Sequence, residues 1–282
     1  MTLSIVCTSK PCDGLLYYSY EYASLLNCNL IIITHPEFSR QDYIDSINEK
    51  YIHCQNIIFD NHIVQDDEVF LVMGRSMITL PYLNIKKYSV DRQNTLNDIF
   101  GSKLIVVYSE NHPEHYQLAV KFFYPEHIVD LCDHEVYPNG VGYHFEKTIN
   151  FDIYKPFVED IQFDHLFLGT NKEYYRSVEK YISEYPSHGI IVYPNGDYIN
   201  RKNNNISAPV HNLLGIFNSY VYVKESFDPA PRIIQECKYF GKNVVYLRDA
   251  SIIDGGSVYH KRDIIPPDVT AIMNVMEKLN ED

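Results

Sequence analysis

The chain of 282 residues contains no tryptophan, and its six cysteines (7, 12, 28, 54, 132 and 237) show no Cys-x-x-Cys spacing. Neither a zinc site nor a disulfide framework fits that scatter, and a reducing cytoplasm is the expected setting. No apolar run approaches the roughly 18 residues a bilayer-spanning helix requires. The opening Met1-Thr2-Leu3-Ser4-Ile5-Val6-Cys7 lacks the basic start and long apolar centre of a secretory leader, and it reads as a buried strand. Basic residues are in the minority, 24 Lys+Arg against 37 Asp+Glu, for a net charge of -13. Both halves are acidic, which argues against a protein that coats nucleic acid and confines any such contact to a local patch. A Walker phosphate loop, a GxGxxG turn and a nucleophile elbow are all missing. Their absence counts against P-loop kinases, dinucleotide oxidoreductases and serine hydrolases.

What is present is a large core: 45% of residues are hydrophobic and 25 are tyrosine. The abundance of Tyr, Asn, Ile and Asp is the bias of an AT-rich genome, such as that of a virus. Short apolar runs alternate with helical segments, the pattern of α/β architecture with parallel sheets. In the first half, strands are expected at 3–7, 30–34, 56–59, 69–72, 87–90, 104–108 and 128–131, with helices at 15–26, 40–48 and 113–122. In the second half, strands are expected at 165–168, 189–193, 220–223 and 243–247, and helices at 172–184, 209–217, 231–240 and 267–279. Asn200-Arg201-Lys202-Asn203-Asn204-Asn205 reads as a polar, mobile loop. Pro138-Asn139-Gly140 marks a turn near the junction. Two domains are expected, 1–152 and 153–282, with ligands at the carboxyl ends of their strands.

The chemistry-bearing residues cluster at strand ends. Asp228-Pro229-Ala230-Pro231 leads into a helix on which Arg232 and Glu236, four apart, share one face. A guanidinium suits a diphosphate and a carboxylate suits ribose hydroxyls; the plain structural reading is a Pro turn with an intrahelical ion pair. Leu168-Gly169-Thr170-Asn171-Lys172 ends a strand and opens a helix carrying Lys172 and Arg176 one turn apart. There Gly169 permits close backbone approach, Thr170 offers a hydroxyl and the cations neutralise phosphate. Glu110, at the end of the 104–108 strand, is placed to take a proton from a hydroxyl nucleophile, with His112 and Glu114 as rivals. Asp13, in the Cys12-Asp13-Gly14 turn, is a second carboxylate for a sugar or acceptor, or simply a helix cap. Asn195-Gly196, Asp254-Gly255-Gly256-Ser257 and Met73-Gly74-Arg75-Ser76 are loops able to add base, acceptor or phosphate contacts, or plain turns.

Taken together these segments resemble glycosyltransferases of the GT-B fold, which pair two Rossmann-like domains across a cleft and bind the nucleotide-sugar mainly on the second. Asp228 and Glu236 match the acidic-x7-Glu spacing of retaining members, with Asp in place of the usual Glu. The chain is also similar to the phage DNA β-glucosyltransferases that act on 5-hydroxymethylcytosine. That resemblance rests on the run Lys103 to Glu110, on Gly169-Thr170-Asn171-Lys172 with Arg176, and on Arg232 with Glu236. It implies a UDP-sugar donor, a modified base in DNA as acceptor, a diphosphate held by Lys172, Arg176 and Arg232, ribose held by Glu236, and Glu110 as the base of an inverting transfer. Glucose and a pentose such as arabinose are both open as the sugar. A divalent cation is not indicated by any ligand cluster. Arg201-Lys202 and Lys86-Lys87 are the visible basic pairs for DNA phosphates. Two other readings stand beside it: transfer to a bacterial surface or capsular saccharide, and a catalytically silent nucleotide-binding protein.

Overall fold

The computed structural model describes residues 1–52, 56–108, 113–134, 137, 139–192, 197–207, 212–223, 232–247 and 264–281. The chain divides into two compact units, residues 1–154 with 266–282, and residues 155–265.

The first unit runs β1 (Thr2–Cys7), α1 (Gly14–Leu26), β2 (Asn29–Ile32), α2 (Arg40–Lys50), β3 (Ile57–Phe59), β4 (Glu68–Val72), α3 (Ser76–Asn84), α4 (Val90–Gly101), β5 (Lys103–Tyr108), α5 (Pro113–Phe123), β6 (His127–Cys132) and β7 (Tyr143–His144). Its seven strands lie in the order β3-β2-β1-β4-β5-β6-β7, all parallel. Parallel strands flanked by helices are covered on both faces and so read as unbroken apolar runs. Accordingly Ile5, Val6, Val69 to Val72 and Leu104 to Val107 are buried. Helix starts are set by local side chains: Asp13 accepts from Leu15 N, and Ser39 with Asp42 forms a capping box on α2.

The second unit runs β8 (Phe163–Leu168), α6 (Lys172–Glu179), β9 (His188–Val192), β10 (Asn205–Ser207), β11 (Phe217–Tyr222), α7 (Arg232–Tyr239) and β12 (Asn243–Tyr246). Its five strands, ordered β10-β9-β8-β11-β12, are again all parallel. Both sheets therefore wind outward from a first strand in one direction and then in the other, the doubly wound order of Rossmann-like domains.

Four expectations are corrected. Residues 87–90 are not a strand: a 3-10 turn spans Ile85–Lys87, and α4 opens at Val90 with Ser89 as its cap. The face carrying Leu96, Ile99 and Phe100 is buried, and it outweighs the strand preference of Val90. The helix expected at 209–217 is absent from its described part, 212–217, where Leu213–Gly215 is a 3-10 turn and Phe217 opens β11 opposite Phe163; 209–211 lie outside the described residues. The polar Asn loop is tied down and runs into β10. Tyr175 Oη accepts from Asn200 N at 3.1 Å and from Asn203 Nδ2 at 3.0 Å, and donates to Asn205 Oδ1 at 3.1 Å. Finally, the last helix, α8 (Thr270–Glu281), belongs to the first unit, although its sequence position suggested the second domain. It buries Ile272, Val275, Met276 and Leu279, and Lys278 Nζ lies 4.3 Å from the centre of the Tyr143 ring on β7.

Candidate functional site

In an open doubly wound sheet, the chain leaves adjacent central strands toward opposite faces, and the crevice so opened at their carboxyl ends is the natural ligand site. In the second unit that place lies between β8 and β11, which pair through Phe217↔Phe163, Ser219↔His165 and Tyr220↔Leu166. From β8 the chain passes through Gly169, Thr170 and Asn171 into α6. Asn171 Oδ1 caps that helix by accepting from Tyr174 N at 2.9 Å. Thr170 is half-buried, while Lys172 and Arg176 are exposed and have no ionic partner among the described residues. Gly169 is required for a reason the sequence did not reveal. A Cβ there would stand 2.8 Å from Tyr175 Cδ2 and 2.9 Å from Ile190 Cγ2, so the packing of α6 on the sheet already excludes a side chain.

From β11 the chain reaches α7, whose first residue is Arg232. Arg232 Nε donates to Glu236 Oε1 at 2.6 Å, and both side chains are buried. The i,i+4 geometry expected from the sequence is thus present as an internal ion pair. Burying two charges costs desolvation that their attraction only partly offsets, so packing alone gives little reason to keep such a pair. Asp228, Asn195, Glu110, His112 and the Asp254 loop lie outside the described residues. Of the sequence-predicted residues, Gly169, Thr170, Lys172, Arg176, Arg232 and Glu236 all sit on the segments that follow the two central strands of one sheet.

In the first unit the corresponding reversal lies between β1 and β4, which pair from Thr2↔Glu68 to Val6↔Val72. Asp13 follows β1 and serves as the α1 cap, with Oδ1 accepting from Leu15 N at 2.8 Å. Burial raises its carboxyl above the usual range, against hydrogen bonds from Leu15 and Ser9 and the nearby Lys147 and Lys10. After β4, Arg75 is buried, with its guanidinium carbon 3.6 Å from the centre of the Tyr108 ring and 4.3 Å from that of Tyr116. Its Nη2 meets Asp130 Oδ2 at 3.4 Å. Burial also raises the Asp130 carboxyl, although Arg75 draws it back. The aromatic clamp on Arg75 is not visible in the sequence because its parts come from the start of α3, β5, α5 and β6, far apart in the chain.

Glu114 is exposed in the first turn of α5, and Lys86, Lys87, Arg201 and Lys202 are exposed. Thiolate chemistry is disfavoured at Cys7, Cys28 and Cys132, because burial pushes the Cys7 and Cys28 thiols up to about 12 and Cys132 to about 11. Among the described residues no group of three or more His, Cys, Asp or Glu side chains is arranged to hold a metal ion. No helix among them is long and apolar enough to cross a membrane. Comparison with known proteins returned no match to any family model, curated protein or solved structure.

Proposed function

We propose that this protein is a glycosyltransferase of GT-B type that takes a sugar from a UDP-sugar and transfers it to a hydroxymethylcytosine-type base in DNA. The observation that carries the reading is positional. Two phosphate-suited segments, Gly169 to Arg176 and Arg232 to Glu236, follow the neighbouring strands β8 and β11 where the strand order of the second sheet reverses.

In this reading Lys172, Arg176 and Arg232 hold the diphosphate, and their charge stabilises the departing UDP. Glu236 takes the ribose hydroxyls while keeping Arg232 oriented, which gives their buried contact a purpose beyond packing. The acceptor oxygen attacks the anomeric carbon, the bond from that carbon to the diphosphate oxygen breaks with its electron pair going to UDP, and Glu110 receives the hydroxyl proton. Asp13, at the reversal of the first sheet, orients the acceptor. An inverted anomeric configuration follows from a single displacement. Asn195 and Asp228 complete the nucleotide side of the site.

The net charge of -13 favours a second acceptor class, a surface or capsular saccharide. The test is a thermal-shift screen of UDP-glucose and UDP-pentoses, followed by transfer assays on hydroxymethylcytosine DNA and on oligosaccharides. Transfer to the modified duplex is expected. Transfer confined to oligosaccharides would remove the DNA acceptor, and Glu110→Gln should retain donor binding while losing turnover.

A further inference from the structure

A second charged assembly lies on the first unit, at the carboxyl ends of β2 and β3. Asp60 directly follows β3, is buried, and holds a left-handed backbone conformation with φ 61°. Its carboxylate receives Thr34 N at 2.8 Å and Thr34 Oγ1 at 2.9 Å from the segment after β2. It also receives two guanidinium groups. Arg92, in the first turn of α4, reaches Oδ1 through Nε at 3.0 Å and Oδ2 through Nη2 at 3.2 Å. Arg40, the first residue of α2, reaches the same Oδ2 through Nε at 3.2 Å.

One arginine is enough to neutralise one carboxylate, so the second leaves a net positive charge fixed in place. Both arginines stand in the first turns of helices, where the helix dipole disfavours a cation. Arg40 uses only its Nε on Asp60 and lies 5.8 Å from the centre of the Phe59 ring, and its two Nη groups have no hydrogen-bond or ionic partner in the protein among the described residues. Its side chain is 56% exposed, against 6% for Asp60. Lys87 adds to the local positive field, whereas Lys10 is paired with Glu37 at 3.5 Å. With burial as the larger cause, both lysines hold the nearby His35 imidazole below its usual range, against the pull of Glu37. A planar fork of N–H donors held at Nε by a buried carboxylate and open to solvent has the geometry to take a phosphate oxyanion.

We propose that Arg40 and Arg92, held by Asp60, form a phosphate-binding pair that engages the backbone of the acceptor strand. The identification of that phosphate as a DNA phosphodiester rests on the function proposed above; the phosphate site itself does not. The full-length chain is titrated, without donor, into a short fluorescent duplex across a range of KCl concentrations, and separately into inorganic phosphate followed by phosphorus NMR. Arg40→Gln should melt at the wild-type temperature, because Arg92 keeps its fork on Asp60. It should weaken duplex binding roughly 5-fold at low salt and reduce the slope of log affinity against log salt by about 1. Arg40→Lys should recover the slope.

If wild type and Arg40→Gln share the same duplex affinity, the same slope and the same phosphate signal, the site is overturned while the DNA acceptor survives. If wild type ignores the duplex but binds inorganic phosphate in an Arg40-dependent way, the site stands with a small phosphate as its source, and the DNA acceptor fails. If neither probe binds, the site is overturned.

Discussion

Arg232 and Glu236 meet inside α7, and removing one partner takes from the other buried charge its 2.6 Å contact. Glu236→Leu should therefore cost about 3–5 kcal/mol in urea unfolding. Arg232→Met combined with Glu236→Leu should recover most of that loss, because an apolar pair of similar volume replaces the ions without a desolvation cost. If the pair exists for a nucleotide, the double variant folds but no longer binds UDP; a double variant that binds UDP normally would leave the pair a packing device. Asp13 offers a complementary test. Its folded carboxyl lies above the unfolded value of about 3.9, so between those two values the native state holds a proton that the unfolded chain has released. Stability then falls as pH rises through that window, and above it the native state carries the half-buried charge at a cost. Asn caps a helix as well as Asp does. Asp13→Asn should thus be neutral to stabilising at pH 7 and flatten the window in a pH series of urea midpoints, while lowering sugar transfer on the order of 10²-fold. Unchanged transfer would return Asp13 to a simple cap.

At the scale of elements, the parallel strands were legible because burial on both faces leaves mostly Val, Ile, Leu and Phe in β1, β4 and β5, apart from Thr2, Ser4, Cys7, Glu68, Lys103 and Tyr108. Of these, Ser4 and Glu68 satisfy each other, Ser4 Oγ donating to Glu68 Oε1 at 2.6 Å. The helix α3 was not legible, since Ser76-Met77-Ile78-Thr79-Leu80-Pro81 is apolar on every side and contains a proline. The α4 start was hidden by Lys87, Tyr88 and Val90, which resemble a strand until Ser89 is recognised as a cap. Phe217 was read as a helix end because the turn before it depends on Asn212 adopting φ 64°, a choice its neighbours do not announce. The candidate site divides in the same way. Its second-unit residues were visible as local motifs, whereas the Asp60 and Arg75 clusters exist only once strands distant in sequence lie side by side. Two substitutions test the local part. Ser39→Ala, which breaks the α2 capping box, should cost about 1 kcal/mol in urea unfolding. Gly169→Ala should cost about 1–3 kcal/mol through overpacking against Tyr175 and Ile190, and a neutral result would show that the α6 contact yields easily.

At the scale of the molecule, two doubly wound sheets supply two strand-order reversals, each with its own chemistry. The reversal in the second unit is flanked by exposed cations and an internal Arg–Glu pair, and that in the first unit by a carboxylate raised by burial and an aromatic-clamped arginine. The overall charge of -13 means that a nucleic-acid acceptor must be met by fixed local clusters rather than by a general field. Isothermal titration of UDP into the full-length protein and its Arg232→Gln, Lys172→Gln and Arg176→Gln variants goes most directly to the claim that the second unit grips a nucleotide diphosphate. Binding by the wild type, weakened at least about 10-fold by each substitution, is the result expected; a wild type that takes up no UDP, or variants that bind it equally well, would contradict it.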